Sequence, residues 1–242
     1  MPGLIRNNFV RAFGSLLYPP ACSVCLADVG FDQYLCQDCD AKIIRIVPPF
    51  CEKCSEPFFG AISGAFDCVN CAHRKIYFET AVSAYRSRGI VRQVVLNFKY
   101  GKQIHLRHLV AKWLFTALND TRLRGREFDL LVPVPLHPAR QRERGFNQAA
   151  LLTELLSRHM SLQARAVLER IRYTTTQTAF DRAERMENLR GAFRLRRKAD
   201  VRNLRVLLID DVLTTGSTLS ECARVLKRAG ARSVCAATAA RA

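Results

Sequence analysis

The sequence predicts an α/β fold, a parallel sheet flanked by helices, preceded by a small cysteine-rich module. Three observations predict it. Strand-length apolar runs alternate with helix-length periodic segments from residue 81 onward. Val206, Leu207, Leu208 and Ile209 form an unbroken apolar run, the pattern of a strand covered on both faces of a parallel sheet. Eight of the ten cysteines fall between Cys22 and Cys71 as four Cys-x-x-Cys pairs. With 242 residues, 49% of them hydrophobic, the chain has room for one sizeable core and a smaller module. The expected division is 1–75 and 76–242.

Near the start, Leu4, Ile5, Phe9, Phe13, Leu16 and Leu17 recur at helical spacing, an amphipathic segment expected to pack on the body of the protein rather than on a membrane. No run of about 18 apolar residues exists to span a bilayer, and the start lacks the apolar stretch of a signal peptide, so a cytoplasmic location is expected.

The cysteines come next. Ten residues lie between the pairs Cys22/Cys25 and Cys36/Cys39, and thirteen between Cys51/Cys54 and Cys68/Cys71. Each Cys-x-x-Cys knuckle points two thiolates at one ion, so two four-cysteine Zn2+ sites can be written in tandem, each resembling a zinc ribbon. Such closed shells hold structure. A disulfide framework would suit a secreted chain, and thioredoxin-like redox chemistry would need a surrounding βαβ pattern. Spacing leaves open whether the pairs combine sequentially or interleave. His73 is not expected to be a ligand, since both shells are full. Cys222 and Cys235 read as small buried hydrophobes.

Beyond the cysteines the expected elements are a strand over 81–86, helices over 90–100 and 106–118, a loop holding Arg122, Arg124 and Arg126, and a strand over 129–135. A helix over 147–159, the strand containing 206–209, a helix over 219–229 and a strand over 233–240 complete the alternation. After the strand ending at 135, LHPARQRERGFNQ reads as a loop carrying Arg140, Arg142 and Arg144, before a turn at Gly145 and a cap at Asn147. Three arginines there suit a diphosphate, a DNA phosphate backbone or a solvated face. Lys99 and Gly101 in FKYGK are further candidates to approach a substrate.

Charge is unevenly placed. Residues 1–75 hold seven Lys or Arg against seven Asp or Glu, whereas residues 76–242 hold 31 against 14, so the whole formal +17 sits in the second part. Thirty of the 38 basic residues are Arg. A polyanion surface is therefore expected on the second part, with solubilising charge as the plainer alternative.

Asp210 and Asp211 follow the apolar run at the end where open α/β sheets bind ligands. Thr214, Thr215, Gly216, Ser217 and Thr218 then supply hydroxyls, backbone N–H groups and one conformationally tolerant position as a helix begins, an arrangement that favours a phosphate. The plainer alternative is a strand-turn-helix with an ordinary cap. VLLIDDVLTTGST resembles the phosphoribosyl pyrophosphate (PRPP) loop of the type I phosphoribosyltransferases. The resemblance implies that Asp210 and Asp211 serve the ribose hydroxyls or Mg2+ and that residues 214–218 hold the 5′-phosphate. It also implies a pyrophosphate role for the Arg140, Arg142 and Arg144 segment. Purine enzymes of that class often carry an acid where Thr214 stands, whereas orotate-type enzymes carry a threonine. The intervening TTTQTAFDRAERMENLRGAF reads as a flap. It is similar to the closing loop of glutamine-PRPP amidotransferases, with Gln177, Arg182, Arg185 and Asn188 at the matching positions. A surface helix over 182–189 is the alternative.

The four Cys-x-x-Cys pairs, VPVPLHPARQRERGFNQ, QTAFDRAERMENLRGAF and VLLIDDVLTTGST together resemble the competence protein ComF/GntX family over essentially the whole chain. That resemblance implies a cytoplasmic factor for natural transformation or use of external DNA. It also implies action on single-stranded DNA, with other competence or DNA-processing proteins as candidate partners. Three function classes follow: a DNA-handling factor whose site binds PRPP, a phosphoribosyltransferase, and a PRPP-sensing regulator without turnover. Enzymatic activity is left open, because no acceptor pocket is legible. Phe146, Tyr173 and Phe180 stand near the basic loops as candidates to stack bases.

Overall fold

The computed structural model describes residues 20–58, 60, 68–72, 74–101, 103–173 and 189–242. The amphipathic segment from Leu4 to Leu17, His73, Phe180 and the flap positions Gln177, Arg182, Arg185 and Asn188 lie outside the described residues. In chain order the elements are α1 (Gln37–Ala41), β1 (Ala81–Arg86), α2 (Gly89–Tyr100), α3 (Arg107–Leu118), β2 (Leu130–Pro133), α4 (Pro138–Arg144) and α5 (Gln148–Met160). They continue with β3 (Leu168–Arg170), β4 (Phe193–Leu195), β5 (Arg205–Leu213), α6 (Ser217–Arg228) and β6 (Ser233–Arg241).

Four strands form an all-parallel sheet in the order β1-β6-β5-β2, and β3 pairs with β4 as a separate antiparallel hairpin. The apolar run predicted to be covered on both faces is so covered. Leu207 and Ile209 enter a core with Val94, Phe98, Trp113, Leu114, Leu152 and Leu156 from α2, α3 and α5. Val206 and Leu208 enter a second core with Leu168, Phe193 and the α6 stripe Leu219, Cys222, Ala223 and Leu226. That stripe follows i, i+3, i+4, i+7 and fixes which side of α6 faces the sheet. Each buried Leu or Ile contributes about 1.5–3 kcal/mol by leaving water.

The cysteine-rich residues straddle one edge of the sheet. Cys22, Leu35 and Cys39 join the first core, and Cys51, Cys54, Cys68 and Cys71 join the second. Between them the chain runs antiparallel along β1, with Ile46 N–H donating to Ala84 O at 2.9 Å and Arg86 N–H to Ile44 O at 2.9 Å. The exposed edge of β1 is thereby covered.

Beyond shifts such as the strand expected over 129–135 and observed as Leu130–Pro133, three departures bear on the site. The segment holding Arg140, Arg142 and Arg144 is helix α4 rather than a loop, because His137 Nδ1 accepts from Ala139 N–H at 3.2 Å, Pro138 opens the helix, and left-handed Gly145 (φ 83°) closes it. β5 runs on through the acid pair to Leu213, since β6 keeps pairing beyond Asp210, with Val212 against Ala240 and Leu213 against Arg241. α6 starts at Ser217, so Ser217 and Thr218 belong to its first turn. Among the described residues no helix is long and apolar enough to cross a membrane.

Candidate functional site

The eight cysteines fall into two groups of four, Cys22/Cys25/Cys36/Cys39 and Cys51/Cys54/Cys68/Cys71, with the sulfur atoms of each group within 4.8 Å of one another. Pairing is sequential, which spacing alone left open. Four thiolates at about 2.3 Å from Zn2+ in a tetrahedron stand about 3.8 Å apart. Cys51 to Cys71 at 3.9 Å, Cys25 to Cys36 at 3.5 Å and Cys54 to Cys68 at 3.3 Å fit that demand. Both clusters are consistent with zinc-ribbon sites. All four cysteines of the second are buried, whereas Cys25 of the first is exposed. Cys222 and Cys235 are buried in the cores, as their surroundings in the sequence predict.

At the carboxyl end of β5 stands the acid pair. Asp211 is buried and forms an ion pair with Lys99 Nζ at 2.9 Å, and its backbone N–H donates to Asp210 Oδ1 at 2.9 Å. Burial works against the Lys99 charge, but Asp211 and then Asp210 outweigh it and hold its pKa above the ordinary lysine value. Burial, followed by the neighbouring Asp211 charge, pushes Asp210 up to about 7 despite Lys99 and Arg170. Arg170, at the end of β3, faces the same pocket of charge. Burial and then Arg140 lower its pKa, while Cys222 and Asp210 raise it.

The turn after β5 has the shape its composition predicts. Gly216 adopts φ 76°, which a Cβ disfavours, and its carbonyl accepts the first helical bond from Ser220 N–H at 2.8 Å. Ser217 Oγ lies 2.9 Å from Thr215 Oγ1, and Thr214 is exposed. Arg74, just past the last ribbon cysteine, donates to Ser217 Oγ at 3.1 Å and Thr215 O at 3.4 Å. Phe78 stands beside Gly216, where an added Cβ would lie 3.6 Å from its ring.

Helix geometry sorts the three arginines of α4. Residues four apart share a face, and residues two apart lie about 200° around the axis. Arg144 donates to Gln148 Oε1 at 3.3 Å and to Tyr100 Oη at 2.8 Å, and it opposes the charge of Lys99. Arg140 lies 5.6 Å from the Tyr173 ring centre and opposes the charge of Arg170. Arg142 is exposed and apart from both. Gln148 is buried, and among the described residues its Nε2 has no hydrogen-bond partner. The structure thus pairs Lys99 with Asp211 just ahead of residues 214–218, sets the charge of Arg144 against Lys99 and that of Arg140 against Arg170, and leaves Arg142 exposed. Phe146 packs on Phe98 with ring centres 5.6 Å apart, so it serves the core. Arg74, Arg170 and Tyr100 were missed, since each joins the site through contacts distant in sequence, and Gln148 was missed although its partner Arg144 is only four residues away.

Chemically, the carboxylate pair can accept hydroxyls or a hard cation, the helix start can hold a phosphate, and the flanking guanidinium and ammonium groups can hold a second anion. Sheet order and site position define a type I phosphoribosyltransferase-like domain behind a double zinc ribbon. Comparison with known proteins agrees. The family described as double zinc ribbon domain matches residues 13–72, and that described as phosphoribosyl transferase domain matches residues 147–242. Competence protein F of Haemophilus influenzae is 31% identical over 83% of this chain and 87% of its own length. DNA utilization protein YhgH of Salmonella typhimurium is 30% identical over 90% of this chain and 96% of its own. The chain belongs to the ComF family of competence proteins. Among solved structures, the glutamine PRPP amidotransferase of B. subtilis overlaps 55% of this chain and 26% of its own at 20% identity. Its TM-score of 0.36 is too low a likeness to bear on function.

Proposed function

We propose that this protein is a cytoplasmic ComF-like factor of DNA uptake or utilization that binds Mg2+ and PRPP at the Asp210/Asp211 mouth and single-stranded DNA on the basic surface beside it. The observation that carries the reading is an acid pair, Asp211 buried and Asp210 half-buried, with its Lys99 counter-ion and a phosphate-suited helix start, in a chain whose relatives bear competence and DNA utilization names.

In this reading Asp210 and Asp211 take the ribose hydroxyls or Mg2+, and Thr214, Thr215, Gly216, Ser217 and Thr218 take the 5′-phosphate. Oxygen donors suit Mg2+, which Asp210 and Asp211 would hold, and Lys99, the counter-ion of Asp211 in its absence, would serve the pyrophosphate. Lys99, Arg140 and Arg144 hold pyrophosphate or DNA phosphate, and exposed Arg142 serves DNA alone. Residues 1–75 are the structural zinc-bearing part and residues 76–242 the ligand-binding part. Binding does not require turnover.

Calorimetric titration of the zinc-loaded protein with Mg2+ and PRPP, beside anisotropy titration of a labelled oligothymidylate, tests the reading. Wild type should bind PRPP with micromolar affinity. Asp211→Asn should abolish that binding and leave DNA affinity within about twofold, since no phosphate-binding cation is lost. Replacing Arg140, Arg142 and Arg144 together by Gln should weaken DNA binding and flatten its salt dependence. Loss of both ligands in Asp211→Asn would overturn the reading. Pyrophosphate release on adding bases, nucleotides or DNA separates an enzyme from a binding protein.

A further inference from the structure

Tyr100 and Tyr173 leave 60% and 52% of their surfaces exposed, and each is held by an arginine from the same face of α4. Arg144 lies 4.7 Å from the Tyr100 ring centre and donates to its hydroxyl at 2.8 Å. Arg140 lies 5.6 Å from the Tyr173 ring centre, and His137 meets that ring edge-on at 5.1 Å. Four residues of helix separate the two arginines by about 6 Å along the axis, and the geometry repeats as two arginine-tyrosine units side by side.

Both exposed rings are already fixed by a cation rather than loose in solvent, which leaves each a pre-positioned flat surface. A guanidinium has five donors, enough to hold a ring and still present N–H groups to a phosphate. The second part of the chain carries 31 basic against 14 acidic residues, so the occupant is an anion. Bases of a duplex are already stacked on each other. Those of a single strand are free to stack on an aromatic ring.

We propose that Tyr100 and Tyr173 are stacking platforms for two bases of single-stranded nucleic acid, with Arg144 and Arg140 on the adjoining phosphates. This rests on the DNA-handling reading above and assigns the surface that performs it. Arg144 opposes the charge of Lys99, the counter-ion of Asp211, and Arg140 opposes that of Arg170, so both units share the electrostatic field of the acid pair.

The test uses the full-length zinc-loaded protein and two fluorescein-labelled probes of equal length, an oligothymidylate and a strand of abasic residues with the same phosphates. Tyr100→Leu and Tyr173→Leu should each weaken oligothymidylate binding about tenfold, leave its salt slope unchanged and leave abasic binding unchanged. Tyr100→Phe and Tyr173→Phe should retain wild-type affinity, because the ring remains. Arg140→Gln and Arg144→Gln should each lower the salt slope by about 1 with both probes. Leu variants that bind oligothymidylate as wild type does, or lose both probes equally, would overturn the stacking assignment and leave the DNA reading standing. Failure of wild type to bind either probe would overturn both. Thermal melts of the variants confirm folding, and both side chains are exposed enough for substitution to leave the cores intact.

Discussion

Lys99 Nζ stands 2.9 Å from Asp211 Oδ1, and Asp211 is 4% exposed. The ammonium is the counter-ion of a carboxylate that has a second carboxylate beside it. Lys99→Met keeps the stem and removes the charge, leaving the pair facing each other in a buried setting. The expected cost is roughly 3 kcal/mol, read as a lower urea midpoint. Adding Asp211→Asn should recover part of it, since the two residues interact directly. Simple additivity of the two substitutions would count against the ion pair.

Asp210 sets the sign of a pH effect. Its pKa in the fold is pushed up to about 7 by burial and Asp211, above the value of about 3.9 in an unfolded chain. A raised folded pKa means that the stabilising contribution is complete below pH 4 or so and is lost as pH rises through about 7. Wild type should therefore lose stability from pH 6 to pH 8 in Mg2+-free buffer. Asp210→Asn should remove that decline and be the more stable protein at pH 8. Urea titrations at both pH values decide, and an undiminished decline in the variant would place the titration elsewhere.

The two cysteine clusters should differ in what their loss does. In the second, Arg241 Nε donates to Cys54 O at 3.2 Å, Arg122 Nη1 to Cys51 O at 3.2 Å, and Arg74 reaches the 214–218 turn. In the first, Cys25 is exposed. Cys54→Ser should lower the melting temperature more than Cys25→Ser, and only Cys54→Ser should speed amide hydrogen exchange around residues 214–220, by about tenfold or more. Chelation should expose residues 22–71 to protease and leave the sheet folded. Equal exchange in both variants would mean that the turn stands without the second ribbon.

The sheet and the acid pair were legible because their signals are local. An apolar run specifies a buried strand, the 81–86 strand is observed at its expected bounds, and Cys-x-x-Cys knuckles are short-range geometry. α4 was misread although His137, Pro138 and Gly145 are the capping set of a short helix, because the alternating arginines dominated the reading. Lys99 with Asp211, Arg170 with Asp210 and Arg74 with Ser217 had no local signature. Each joins elements that only the fold brings together.

Arg122 is a further case: it lies in a loop as expected, and there its side chain acts as a clamp that no local signal showed. Its side chain is 9% exposed, it meets Asp120 through Nε at 2.8 Å and Nη2 at 2.6 Å, and it donates to Ser55 Oγ at 2.8 Å and to the carbonyls of Cys51 and Glu52. Its guanidinium also lies 4.4 Å from the Phe50 ring centre. Burial opposes the Asp120 charge, but the bonds from Arg122 prevail and lower its pKa. Arg122→Ala strips these acceptors of their donors at once and should cost about 3 kcal/mol or more. Arg122→Lys should recover little, because an ammonium cannot reproduce the planar fork across five acceptors. Asp120→Asn should cost less than Arg122→Ala, since the ribbon carbonyls keep their donor. Urea unfolding of the three variants ranks them, and a well-tolerated Arg122→Lys would show that charge alone, rather than the fork, holds the second ribbon to the sheet.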